Sequence, residues 1–131
     1  MKKIILIIVL LIIVVGCSQQ KNAVNFNKNS TLIVEERLGD EFSINYEVIN
    51  QIQDKDIVQS IIDILRNVKW ETNTDISMEH EPDYKLNEFY HIWVTPNGDK
   101  LEIINRDNSY YVSLSEQTSS DLFKIITGED L

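Results

Sequence analysis

The sequence predicts an α+β domain: a mostly antiparallel sheet of five to six strands with two helices, in the order β-β-α-β-β-β-β-α. Three observations carry that prediction. Apolar residues alternate at period two in the first and last thirds of the chain, as half-buried strands require. Two segments switch to helical spacing. Between them, Asn97-Gly98 separates two alternating runs and is the strongest short-range hairpin signal. No internal repeat, low-complexity block or second boundary interrupts residues 31–131, which read as one domain.

The chain opens with a different kind of segment. Lys2 and Lys3 precede an unbroken apolar run of 12 residues, Ile4 to Val15, and Gly16 and Cys17 close it. A membrane-spanning helix needs roughly 20 apolar residues. A secretory signal peptide needs a basic start, an apolar stretch of about 7–15 residues and a small residue at the cut. Residues 1–16 fit the second description. Cys17 is the only cysteine, and the segment resembles a bacterial lipobox. That resemblance implies cleavage between Gly16 and Cys17 and a diacylglycerol thioether with further acylation, such as palmitate, on Cys17. An uncleaved anchor would continue apolar, whereas Ser18 to Asn22 is polar throughout. The expected address is the outer side of the cell membrane, held by lipid.

Cleavage leaves 115 of the 131 residues, enough for one core and too few for two of ordinary size. The whole chain carries net charge −9, and the mature form, without Lys2 and Lys3, carries −11. Such a surface repels nucleic acid and anionic headgroups. Nucleic-acid binding is therefore rejected, and membrane contact is expected through the acyl chains alone. With Cys17 lipidated no disulfide is available, so the domain must stand on its apolar core.

Residues 17–30 are polar and Asn-rich, and read as a flexible tether. Thr31 to Glu36 is the first expected strand, and Leu38 to Glu41 a turn. In Glu41 to Ile49, Phe42, Ile44, Tyr46 and Val48 alternate with polar residues, which predicts a strand with those four on the core face. Asp54 to Asn67 places Ile57, Val58, Ile61, Ile62, Ile64 and Leu65 on one broad helical face, with Asp54 as N-cap. Val68 to Glu71 is expected as a short strand and Thr72 to Asn87 as an irregular loop, because Pro82 removes a ladder donor.

The last third tests its own register. A loop at Asn97-Gly98 sets Val94 opposite Leu101 and Ile92 opposite Ile103, and a loop at Asp107-Asn108 sets Ile103 opposite Val112. The two loops agree on one core face, and a slip of one residue would invert every side chain. Ser115 then caps a closing helix whose end suits Gly128.

The same register places His91, Ile104 and Tyr111 in one row on the opposite face, with Trp93 in the next row. Cross-strand aromatics stabilise a sheet by packing alone. Trp and Tyr also dominate binding hot spots, so His91, Trp93, Ile104 and Tyr111, with Asp83 and Tyr84 of the loop, form the candidate binding patch. Glu79, His80, Glu81 and Asp83 gather acids and an imidazole, yet their spacing matches no EF-hand and no H-E-x-x-H helix. No G-x-S-x-G elbow is present, and four glycines leave no phosphate cradle. No catalytic residue, cofactor or metal is expected.

The run IIDILRNVKWETNTDISMEHEPDYK, Ile61 to Lys85, resembles the core of the YhfM-like lipoprotein domain of Bacillus-type bacteria, and FYHIWVTPNGDKLEII and the final helix are similar in layout. The resemblance covers residues 31–130 and the leader. It implies no activity. It does imply that Trp70, Pro82, Asp83, Tyr84 and Trp93 matter to the fold or to a partner. The expected function is a membrane-anchored, non-catalytic binding module for a protein or envelope component. A small envelope hydrolase or divalent-metal factor using His80, Glu81, Asp83 and His91, and a purely structural surface protein, are the alternatives.

Overall fold

One six-stranded antiparallel sheet, in spatial order β2-β1-β3-β4-β5-β6, carries every strand of the computed structural model, which describes residues 23–72 and 75–131. The strands are β1 (Leu32–Arg37), β2 (Tyr46–Ile52), β3 (Tyr84–Leu86), β4 (Tyr90–Val94), β5 (Leu101–Asn105) and β6 (Tyr110–Ser113). Two helices, α1 (Lys55–Asn67) and α2 (Glu116–Thr127), complete the order β-β-α-β-β-β-β-α of an α+β fold. The leader, Gly16 and Cys17 lie outside the described residues. Among the described residues no helix is long and apolar enough to cross a membrane.

Both helices cover one face of the sheet. Val58, Ile61, Ile62 and Leu65 of α1 and Leu122, Phe123 and Ile126 of α2 pack on Leu32, Val34, Leu86, Ile92, Leu101 and Ile103. The caps follow the sequence. The Asp54 side chain accepts from the Asp56 and Ile57 amides, Ser115 accepts from the Thr118 amide, and Gly128, at φ 78°, closes α2 onto the Lys124 carbonyl. Ser119, fully buried, turns its hydroxyl outward from α2 to accept the Leu101 amide at 2.9 Å. The meander registers are those expected: Val94 faces Leu101, Ile92 faces Ile103 and Ile103 faces Val112.

Four expectations give way. Phe42 and Ile44 lie in the β1–β2 connection, 68% and 76% exposed, because Asp40 ties the chain into a local turn by accepting the Phe42 and Ser43 amides. In β2, Glu35 faces Val48 while Val34 faces Asn50, so Ile49 is an extra residue. This bulge exchanges the faces. Ile52 reaches the core, whereas Tyr46 and Val48 lie on the side away from the helices. Val68 to Glu71 shrinks to one bridge, Glu71 with Tyr111, because Trp70 turns inward and donates to the Leu65 carbonyl at 2.7 Å. The third strand is instead Tyr84–Leu86, just beyond Pro82, and Asn87 and Glu88, both at positive φ, turn it into β4.

The fourth concerns the tether. Residues 23–30 are packed, not free. Ala23 is 2% exposed, and its carbonyl accepts from Tyr90 Oη at 2.5 Å and Asn105 Nδ2 at 3.1 Å. Phe26 meets the Tyr90 ring edge-on at 5.9 Å, and Asn25 donates to Asp107 at 2.8 Å. Two buried polar side chains, Tyr90 and Asn105, would otherwise lack a partner there, and an unmet buried donor costs about 1–3 kcal/mol.

Candidate functional site

The face away from the helices is crossed by a strap, residues 75–83, running from beside β6 toward the start of β3. Its second half is held by a dense set of contacts. Arg37 sends Nη1 to the Glu81 carbonyl at 2.6 Å and Nη2 to Asp83 at 2.9 Å, in a half-buried ion pair. Tyr46 Oη donates to the Pro82 carbonyl at 2.8 Å, and the Glu81 amide donates to the Glu41 carbonyl at 3.0 Å. Trp93 Nε1 donates to the His80 carbonyl at 2.9 Å, leaving Trp93 only 4% exposed. Among the described residues, no hydrogen bond holds Asp75 to Glu79.

Under that looser half lies a cleft of about 420 Å³, floored by His91, Trp93 and Ile104 and roofed by Ile76, Met78 and His80. A recess of about 250 Å³ adjoins it, sharing Ile104 and Arg106 and ending at Ser109 and Tyr111. His91, Ile104 and Tyr111 form one cross-strand row, fixed by the ladder from β4 to β6, and Trp93 stands in the next row beside Glu102.

Burial first, then the nearby Lys85 and Arg106 cations, pull the His91 imidazole down to about 4. His91 is therefore neutral at physiological pH, its Nε2 3.1 Å from the Glu88 carbonyl. At the other end, burial and the Glu102 carboxylate, which accepts Tyr111 Oη at 2.5 Å, push the Tyr111 phenol up to about 12. The cleft thus offers aromatic and aliphatic walls, a neutral imidazole and one guanidinium. The acids Asp75 and Glu81 also line it, and its surface is more polar than apolar, so a ligand would be held by polar contacts with some burial against Ile76, Met78 and Ile104.

His91, Trp93, Ile104 and Tyr111 are together on this face, as their register requires. Tyr84 is not. It packs on the helix side, edge-on to Phe123 at 5.5 Å, with its phenol on Glu36. Burial and that carboxylate push it up to about 12. Asp83 is spent on structure: one oxygen takes Arg37 and the other accepts the Val94 amide at 2.8 Å. His80 and His91 line the same cleft with Glu81, while His80 Nδ1 lies 2.8 Å from the Glu81 carbonyl. Among the described residues no group of three or more His, Cys, Asp or Glu is placed to hold a metal ion.

Arg106, Ile76 and Met78 were not among the expected residues. Arg106 was within reach, since it follows Ile104 by two positions and shares its face. Ile76 and Met78 belong to the irregular strap, where no period exists to read. No family model, curated protein or solved structure matches the chain.

Proposed function

We propose that this chain is a lipid-anchored lipoprotein of the outer side of the cell membrane, and a non-catalytic binding module whose site is the cleft beneath the strap. The anchor reading rests on Met1 to Cys17 and on the likeness to YhfM-like lipoproteins. The observation that carries the module reading is the cleft itself. A floor built by the ladder of β4, β5 and β6 meets a roof for whose first half, Asp75 to Glu79, the described residues supply no hydrogen bond. That combination admits a protein, peptide or envelope component without disturbing the core on the opposite face.

Two measurements test it. Mass spectrometry of the membrane fraction is expected to find diacylglyceryl on Cys17, and Cys17→Ala to release the protein; an unmodified Cys17 defeats the anchor. For the cleft, a photo-cross-linking phenylalanine analogue replaces Tyr111 in cells, with the same analogue at exposed Ser120 of α2 as control. Adducts at position 111 and none at 120 are expected. Equal yields, or none at either, defeat the site.

A further inference from the structure

The packed segment 23–30 fixes which end of the domain meets the membrane. Ala23 is clamped by Tyr90 at the start of β4 and Asn105 at the end of β5, and Asn25 binds Asp107 just beyond. The loops at this end are residues 87–89, where the Phe89 ring is 44% exposed, and 106–109, whose Arg106 amide donates to the Phe89 carbonyl at 2.8 Å. Exposed Lys28 lies in the turn leading from the clamp to β1 at the same end. The opposite end holds the β1–β2 connection, with Phe42, Ile44 and the acids Asp40 and Glu41.

Between Cys17 and Ala23 there are six residue steps, which span at most roughly 20 Å whatever path they take. A six-residue strand alone is about 20 Å tall. The connection beyond Arg37 and Tyr46 stands further off still. Only a leash drawn flush along the whole domain would bring that end to the bilayer.

From this the geometry points to a fixed orientation: the Phe89–Arg106–Lys28 end faces the lipid headgroups, and the Phe42–Ile44 connection faces away. This rests on the lipid anchor proposed above. The charges do not decide between the ends: Lys28 and Arg106 stand beside Glu88 and Asp107 at one, and Lys100 accompanies Asp40 and Glu41 at the other, so the orientation rests on the leash length. Phe89, 44% exposed, is then the apolar side chain at the lipid surface, and the more exposed Phe42 and Ile44 are held away from it. The domain body then touches the membrane, and the acyl chains are not its sole contact. Ser109, one of the residues lining the recess, lies in the loop on the membrane side.

The test uses the full lipidated chain in vesicles of phosphatidylcholine and phosphatidylglycerol. Cys17 is occupied by lipid, so a cysteine introduced at an exposed site is the only free thiol. Phe89→Cys and Phe42→Cys are each labelled with an environment-sensitive fluorophore, and headgroup-nitroxide lipid is the quencher. Lys28→Cys and Ile44→Cys repeat the comparison at a second pair of exposed positions. Quenching at 89 and 28 at least about twofold stronger than at 42 and 44 is expected, as for residues at the interface against residues in water. Equal quenching at the two ends, or stronger quenching at 42 and 44, overturns the orientation while leaving the anchor standing. An unmodified Cys17 in the same sample, with no vesicle binding, overturns both together.

Discussion

The two faces of the sheet are built from neighbouring residues and by different rules. Ile103 and Ile104 are adjacent in β5, yet one is fully buried under the helices and the other floors the cleft at 8% exposure. The helix face is apolar, aliphatic and aromatic side chains together, and is sealed by capped helices that carry their own hydrogen bonds. The strap face is aromatic and charged, and its cover depends on side chains such as Trp93 and Arg37 reaching backbone carbonyls of an irregular segment. A helix can bury an apolar stripe without exporting unmet backbone groups, whereas a loop must borrow partners for each. The strap is therefore expected to open more readily than α1 or α2, and the proposed binding site lies on the side whose opening would leave the core intact.

The contrast is broken most severely from the helix side. Leu65→Ala empties a fully buried site beside Trp70, and urea unfolding is expected to lose about 2–5 kcal/mol. A loss below about 1 kcal/mol would mean that the helix face is not the principal core. Trp93→Phe removes the donor to the His80 carbonyl. A net loss of about 1 kcal/mol is expected, felt locally: amide exchange of strap residues 76–81 rises about fivefold while α1 exchange is unchanged. Uniform acceleration across the domain would show that strap and core open as one.

A further test is of pH. Folded His91 binds its proton only near pH 4, whereas an unfolded histidine binds at about 6.5. The unfolded chain therefore holds more protons between those values, and stability falls as pH drops from about 6.5 to about 4. His91→Gln is expected to flatten that part of the urea-midpoint profile. An unchanged slope would mean that another group carries the dependence.

What was legible in the sequence follows the same division. The caps at Asp54 and Ser115, the helical faces, and the β4–β6 registers could be read because each rests on a period or on a local hydrogen bond. The row His91, Ile104, Tyr111 followed from those registers. The face of Tyr46 and Val48 could not be read, since the alternation is real but a single bulge residue, Ile49, inverts it. Phe42 and Ile44 share that alternation and lie outside the strand altogether. The docked Ala23–Ser30 segment also escaped notice. Its attachment depends on Tyr90 and Asn105, residues about 65 to 80 positions away, and a polar composition gives no sign of such a clamp.

The claim that one face holds the fold and the other holds the ligand is tested most directly on the adjacent pair in β5. Ile103→Ala and Ile104→Ala are compared for urea stability and for the yield of cellular adducts from the photo-cross-linker at position 111. Ile103→Ala is expected to lose close to the upper end of about 2–5 kcal/mol, and Ile104→Ala, whose vacated space water can enter from the cleft, about 2 kcal/mol, with the folded Ile104→Ala protein losing most of its adduct. Equal stability losses, or an adduct that survives in Ile104→Ala and disappears in a still-folded Ile103→Ala, would contradict the division of the two faces.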